Sequence, residues 1–109
     1  MMQKTIFVYV TTPNIDEALS IGRDLVKDHL VACVNIIDGV RSIYRWKDKI
    51  EDEKETVLVM KTVENNIDAV TKKIKSMHSY DCPCVVSMDI VGGNNDFLKW
   101  VGEETSLNK

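Results

Sequence analysis

The chain has 109 residues, of which 44% are hydrophobic and 28% charged, which predicts one globular domain over residues 1–109 with a single core. The formal net charge of -3 argues against nucleic acid or an anionic membrane surface as a main partner, because both need a basic face. There is no secretory-signal layout, no apolar run near the ~20 residues of a membrane span, and an odd number of cysteines, so we expect a cytoplasmic protein with reduced thiols.

The first part of the chain predicts a strand and then a helix. Residues 6–10 form a continuous apolar run, which is typical of a central strand that is buried on both faces. Asn14 is a candidate helix cap, and Glu17, three residues later, would complete a capping box. The apolar positions that then recur at helical spacing are Ile15, Ala18, Leu19, Gly22, Leu25 and Val26, with His29 continuing the series.

A long extended ribbon follows at residues 30–46 and is the most distinctive stretch of the sequence. It exceeds the ~5–6 residues of an ordinary strand, so we expect a bend or bulge at Gly39 and a part that projects beyond the domain. A projecting ribbon with Ile43, Tyr44 and Trp46 exposes apolar surface, which predicts a partner chain. After a turn at Lys47-Asp48, residues 49–62 return as a strand that is polar at first and then apolar.

The second half of the chain predicts another helix, an edge strand and a short final helix. Asn65 and Asn66 precede apolar residues at helical spacing, namely Ile67, Val70, Ile74 and Met77, and His78 ends this helix. Pro83 opens an edge strand that runs to Ile90. Asn94 or Asn95 then caps a helix with the apolar residues Phe97, Leu98, Trp100 and Val101.

The element order is β-α-β-β-α-β followed by a short helix. This order predicts an α+β, ferredoxin-like sandwich with a long hairpin between its second and third strands. Two helices would cover one face of the four-stranded antiparallel sheet and leave the other face uncovered. Since both sets of alternate residues in the first strand are apolar, the uncovered face also predicts self-association.

Four short motifs in this order resemble the CutA-type divalent-cation tolerance family. They are Ala32-Cys33-Val34-Asn35-Ile36, Ser42-Ile43-Tyr44 with Trp46, Lys61-Thr62, and His78-Ser79-Tyr80 with Pro83. The resemblance implies a homotrimer that is assembled through the long hairpins. It also implies a non-enzyme that is linked to tolerance of copper and other divalent metal ions.

Departures from the family pattern narrow the metal-binding prediction. Some members have a cysteine near the end of the first strand and paired histidines before a Pro-Tyr element, whereas this chain has Val10 and Met77-His78 at these positions. The resemblance therefore carries over only His78 as a metal ligand, and Met77 and Cys82 are the expected helpers because soft sulfur atoms favour Cu(I). No cofactor is required, and copper or another divalent metal ion is the expected ligand.

The cysteines and His78 also have structural interpretations. Cys33 lies in an apolar strand, which favours a core position, and Cys84 is expected as a small buried hydrophobe, with Cys82 as a surface thiol. Cys82 and Cys84 share a face only if Pro83 leaves the chain extended. An imidazolium at the end of a helix would offset the helix dipole.

No catalytic arrangement is evident, because the sequence has no glycine-rich phosphate loop and no nucleophile elbow. An acylphosphatase would share the topology, but its phosphate-binding loop is replaced here by residues 11–14. The alternative to a metal-tolerance protein is a regulatory trimer, similar to the PII-type proteins, that binds a small molecule in the clefts between protomers. The cleft or inter-subunit residues would be Tyr44, Trp46, Lys61 and Tyr80, and an inter-subunit contact is the favoured use of Tyr44 and Trp46.

Overall fold

A computed structural model describes residues 3–106. Its elements are β1 (Thr5–Thr12), α1 (Ile15–Lys27), β2 (Cys33–Trp46), β3 (Lys49–Val63), a short 3-10 turn (Glu64–Asn66), α2 (Ile67–Met77), β4 (Val85–Asp89) and α3 (Asn95–Glu104). The four strands form one sheet in the order β2-β3-β1-β4, and all neighbouring strands are antiparallel. The predicted α+β ferredoxin-like fold is confirmed. None of the described helices combines the length and the apolar character that crossing a membrane requires.

The main core lies between α1, α2 and one face of the sheet. Alternate residues of the central strands point into it, and the apolar stripes of both helices cover them. The fully buried members include Val8, Val10, Ile21, Leu25, Leu58, Met60, Val70 and Ile74. Removing each such side chain from water stabilises the fold by about 1.5–3 kcal/mol. Gly22 allows α1 to approach β2 closely, since a Cβ at this position would lie 3.1 Å from Val34 Cγ1.

The second face of the sheet is only partly covered. Val86 and Met88 of β4 lie opposite Tyr9 and Phe7 of β1 in the register, and about half of each β4 side chain is exposed. The third helix packs against β3 and β1, and its fully buried Val101 lies outside the main core cluster. The predicted edge position of β4 is confirmed, and Val86 and Met88 face the more open side of the sheet, whereas Val85 packs against the main core.

Side-chain caps begin the first and the third helix, as predicted. Asn14 Oδ1 accepts a hydrogen bond from Glu17 N at 2.8 Å. The reciprocal contact of a capping box, from the Asn14 backbone N–H to the Glu17 carboxylate, is not formed within residues 3–106. The Glu17 carboxylate accepts instead from the backbone N–H and the hydroxyl of Ser79. Asn94 caps α3 by accepting from the Asp96 backbone N–H.

The first helix is shorter than the periodicity predicts. It ends at Lys27, and His29 has a left-handed backbone with φ of 59°. Apolar residues continue along the chain after the helix ends, because Leu30 and Val31 also pack into the core. His29 therefore does not belong to the apolar face of α1, and its Nδ1 lies 2.9 Å from the backbone oxygen of Glu104.

Strands β2 and β3 together form a long hairpin, which we call the arm. The molecule measures 46 Å along its longest axis. The register shifts between Ile37 and Val40, and Gly39 has a φ of 76°. Asp38 stabilises this bulge, since its Oδ1 accepts from the Gly39 backbone at 2.9 Å and from Thr56 Oγ1 at 2.8 Å. The bend predicted at Gly39 is confirmed.

The tip of the arm is the predicted turn at Lys47 and Asp48. Both residues have positive φ, at 50° and 66°, as the two central residues of a type I′ hairpin turn do. This turn type matches the right-handed twist of the flanking strands, but each non-glycine residue in the left-handed region costs about 1–2 kcal/mol. The long ladder between β2 and β3 holds the two residues in this conformation.

Candidate functional site

A cleft of about 510 Å³ lies where the arm meets the segment between α2 and β4. The arm contributes Ser42, Ile43, Tyr44 and Trp46 from β2 and Glu55 from β3. The other wall comes from Thr11, at the end of β1, and from residues of the loop that follows α2, namely Tyr80, Asp81, Cys82 and Cys84. We refer to this space as the cleft.

The alternation of side chains divides the arm into two faces. Tyr44 lies opposite Glu51, Ser42 opposite Glu53 and Val40 opposite Glu55 in the register, and opposed residues share a face. We call this side, with Trp46, the acidic face. The other side, which we call the isoleucine face, carries Arg41, Ile43, Arg45, Ile50, Asp52 and Lys54.

Glu55 and Tyr80 form the polar centre of the cleft. The phenol of Tyr80 donates to Glu55 Oε2 at 2.8 Å, and Glu55 is only 5% exposed. Burial and, second, this hydrogen bond raise the pKa of Tyr80 well above that of a free phenol. The phenol therefore remains protonated at neutral pH and serves as a hydrogen-bond donor.

A second phenol–carboxylate pair lies further along the arm. Tyr44 donates to Glu53 Oε2 at 3.2 Å in an exposed setting. Desolvation and then the neighbouring glutamates raise the pKa of Tyr44, with Glu53 as the nearest of them. The aromatic rings of Tyr44, Trp46 and Tyr80 thus border the cleft together with carboxylates.

His78 anchors the loop that carries Tyr80. Its Nδ1 accepts the backbone N–H of Tyr80 at 3.0 Å and lies 3.4 Å from Glu17 Oε2. The other nitrogen, Nε2, then donates to the backbone oxygen of Thr11 at 2.7 Å. The imidazole also packs beside the ring of Tyr80 with their centroids 4.7 Å apart. His78 therefore connects the end of α2 to the end of β1 and orients Tyr80.

The three predicted metal ligands lie in different settings. Met77 is partly buried against the core, Cys82 is exposed, and both ring nitrogens of His78 have hydrogen-bond partners. Within residues 3–106, histidine, cysteine and carboxylate side chains form no group of three or more that is placed to hold a metal ion. A metal ion at His78 would have to replace one of its two hydrogen bonds.

Two cysteine expectations are wrong. Cys84 is exposed and lines the cleft instead of being buried, because the chain enters β4 only at Val85. Cys33 is half-buried in the single chain, because it alternates with Val34 and Ile36, which pack against the core. The predicted surface position of Cys82 is confirmed.

The structure brings Tyr44, Trp46 and Tyr80 together but places Lys61 elsewhere. Lys61 Nζ donates to Asn35 Oδ1 on the neighbouring strand, and it does not line the cleft. Glu55 is absent from the residues that the sequence predicts for the cleft, because it belongs to the polar first part of the strand at residues 49–62. The strict spacing of Glu51, Glu53 and Glu55 was an available signal, since it places three carboxylates on one face of a strand.

Comparison with known proteins identifies the family. A family model described as CutA1 divalent ion tolerance protein matches residues 6–104. The chain belongs to the CutA1 family. A crystal structure of CutA1 from Oryza sativa superposes with a TM-score of 0.93 at 37% identity, over 96% of each chain. A CutA1 structure from Thermus thermophilus gives a TM-score of 0.92 at 34% identity, over 94% of this chain and 99% of that one.

Curated CutA relatives share this domain but differ in length. The CutA homolog of Xenopus laevis is 44% identical over 87% of this chain, which corresponds to 63% of its own length. The chloroplastic CutA 1 protein of Oryza sativa is 39% identical over 93% of this chain and 57% of its own length. The divalent-cation tolerance protein CutA of Thermus thermophilus is 36% identical over 90% of this chain and 95% of its own length. The chain thus spans less than two thirds of the plant and frog CutA proteins and nearly all of the bacterial one.

Proposed function

We propose that this chain acts as a homotrimer in the tolerance of divalent metal ions and does not catalyse a reaction. The name of the CutA1 family supports the metal role. The observation that carries the assembly is the isoleucine face, where Ile43 and Ile50 are each 69% exposed. A soluble protein rarely leaves such residues together in water, so we expect further copies of the chain to cover them.

The two unlike faces of the arm support a closed ring. An acidic and an isoleucine-rich surface on one arm favour a contact between different surfaces of neighbouring copies, and contacts of this kind close into rings. Light scattering at micromolar concentration tests the proposal, and the expected mass is three times the 12.4 kDa of one chain. A stable monomer would contradict it.

We further propose copper as the metal, with His78, Met77 and Cys82 as its ligands. The thiol and thioether sulfurs support a soft ion such as Cu(I). Because the two His78 nitrogens are already engaged, the metal must replace either the hydrogen bond from the Tyr80 backbone or the one to the Thr11 carbonyl.

Calorimetry with Cu(I), Cu(II) and Zn(II) on reduced protein tests the ligand set. His78→Ala should abolish high-affinity copper binding because it removes the predicted nitrogen ligand. The control is His29→Ala, which removes the other histidine of the chain and should leave copper binding unchanged. Equal affinities of wild type and His78→Ala would exclude direct ligation by His78.

The expected compartment is a reducing one such as the cytosol. All three cysteines are free, and thiols persist where the glutathione and thioredoxin systems operate. The names of related proteins give other compartments: chloroplastic for the rice protein and periplasmic for the one from Archaeoglobus fulgidus. Fractionation of the source cells would decide between these compartments.

A second candidate function is the binding of a small molecule in the cleft. The observation that favours it is a cleft of about 510 Å³ bordered by three aromatic rings and one buried carboxylate, within the range of ligand pockets. Trp46 is one of two tryptophans, so a Trp100→Phe variant makes its fluorescence a specific reporter for a ligand screen.

A further inference from the structure

The charge around the cleft selects the ligand that would enter it. Glu55 and Asp81 line the cleft, and none of the lining residues is a lysine, an arginine or a histidine. Glu53 adds a further carboxylate nearby, where it accepts from Tyr44. The lining groups therefore favour cations over anions such as nucleotides, while the Lys47 ammonium over Trp46 is a positive charge beside the cleft.

Glu55 has an unused hydrogen-bond acceptor. Its Oε2 accepts from Tyr80, and among residues 3–106 its carboxylate makes no other hydrogen bond. The side chain is 5% exposed, and it lines the cleft. Among residues 3–106 no buried side-chain nitrogen or oxygen lacks a hydrogen-bond partner, so the second oxygen of Glu55 is reached from the cleft, where a ligand could donate an N–H to it.

The aromatic rings offer a second kind of contact to the same cation. Tyr44, Trp46 and Tyr80 border the cleft, and the faces of such rings attract ammonium groups. Trp46 already shows this behaviour within the chain, since the ammonium nitrogen of Lys47 lies 5.7 Å from its ring centroid. Rings and carboxylates together are the combination that binds organic cations.

We propose that the cleft binds a small organic ammonium ion that donates an N–H to Glu55 and packs against Tyr44, Trp46 and Tyr80. This inference rests on the second candidate function and names its ligand class. A primary ammonium satisfies both contacts. A quaternary ammonium satisfies only the contact with the rings, and a neutral alcohol lacks the charge.

Three probes with the same number of non-hydrogen atoms separate these contacts: n-butylammonium, tetramethylammonium and 1-butanol. The readout is Trp46 fluorescence in the Trp100→Phe variant at constant ionic strength, with calorimetry on the wild-type protein. We expect n-butylammonium to bind roughly tenfold more tightly than 1-butanol, as one charged contact predicts. Tetramethylammonium should lie between them.

Substitutions at Glu55 and Trp46 then test which residues make the N–H contact and the ring contact with the ammonium ion. Glu55→Gln should weaken n-butylammonium binding by roughly tenfold, the value of one charge-assisted hydrogen bond. The matched control is Glu64→Gln, which removes the same charge at an exposed position outside the cleft. If Glu55→Gln does not fold, Trp46→Leu replaces it, with calorimetry as the readout and Trp100→Leu as its control.

The outcomes separate the ligand class from the site itself. Binding of 1-butanol as tight as that of n-butylammonium would keep the cleft as a ligand site but overturn the cationic class. No response to any of the three probes would overturn both the class and the second candidate function. Equal n-butylammonium affinity in wild type and Glu55→Gln, or in wild type and Trp46→Leu, would overturn the assigned contacts.

Discussion

The two faces of the arm have the same backbone ladder and opposite surroundings. On the acidic face, carboxylates are paired with phenols: Glu55 with Tyr80 and Glu53 with Tyr44. On the isoleucine face, Ile43 and Ile50 are exposed beside an ion pair in which the Arg41 guanidinium donates to Asp52 at 2.8 and 3.0 Å. Two carboxylates of the acidic face have phenol partners, whereas the two isoleucines of the other face are each 69% exposed.

Because its two faces differ, one two-stranded ribbon can support both assembly and ligand binding. Period-two alternation places successive residues on opposite sides, so most side chains of the two faces serve different contacts, while Ile43 also lines the cleft. The base of the arm adds the asymmetry, because Tyr80 of the loop after α2 donates a hydrogen bond to Glu55. The comparison predicts that substitutions on the two faces affect different measurements.

The largest expected effect is on assembly. Replacing Ile43 and Ile50 with aspartate should dissociate the trimer, because it places unpaired carboxylates in the proposed apolar contact, at a cost on the order of several kcal/mol. Ala69→Asp is the control, since this exposed residue of α2 lies away from the arm. Light scattering measures the mass of each variant.

Trp46→Asp sharpens the same test from the acidic face. Trp46 is 44% exposed, and its face already carries glutamates, so we expect less dissociation than with the isoleucine variants. Dissociation as complete as that of the isoleucine double variant would remove the distinction between the two faces. It would also favour the inter-subunit role that the sequence predicts for this ring.

The next largest expected effect is on stability, where loss of the Tyr80 hydroxyl is compared with loss of the Tyr44 hydroxyl. Tyr80→Phe removes the described hydrogen-bond donor to a nearly buried carboxylate and should lower the free energy of unfolding by about 1–3 kcal/mol. Tyr44→Phe removes the same atom from an exposed pair and should change stability little. Urea denaturation at one chain concentration measures both variants, and equal losses would contradict the buried character of Glu55.

The smallest effect is on the reactivity of Cys84. Desolvation by the walls of the cleft and, second, the nearby Glu55 carboxylate raise the pKa of the Cys84 thiol, and a hydrogen bond with Thr11 opposes them. A raised pKa leaves less thiolate at a given pH, so alkylation by iodoacetamide should be slow at neutral pH and continue to increase above the pKa of a free cysteine.

Site-resolved mass spectrometry over a pH series measures this rate for Cys84. Glu55→Gln should move the profile to lower pH, because it removes one of the two causes of the raised pKa. The denatured chain is the control and should react with the profile of a free thiol. A native Cys84 profile that coincides with the denatured one would show that the cleft does not hold the thiol in its neutral form.

Most of the fold was predictable because its signals are local. The helical spacing of α2, the side-chain caps at Asn14 and Asn94, and the bend at Gly39 depend on residues a few positions apart. The end of α1 was not predicted correctly. Beyond Lys27 the apolar periodicity continues although the backbone leaves the helix, since Leu30 and Val31 enter the core from a turn.

The site was predictable only in part. Tyr44, Trp46 and Tyr80 were selected as cleft or inter-subunit residues and do meet around one cleft, and this use in assembly or ligand binding stays a prediction. Glu55 and the exposed position of Cys84 were missed, and Lys61 was grouped with a cleft that it does not line. Each of these depends on which strand or loop lies opposite, and neighbouring residues carry no such information.

The sequence by itself determined the family, the order of the elements and the length of the arm, because these follow from periodicity, turn residues and motif order. Only the tertiary structure decided which glutamate is buried and what His78 does. The reason is that Tyr80 and Glu55 are 25 positions apart, and His78 and Thr11 are 67 positions apart. Antiparallel pairing and the packing of the loop after α2 create these contacts, and with them a cleft whose carboxylate still has one oxygen to offer a ligand.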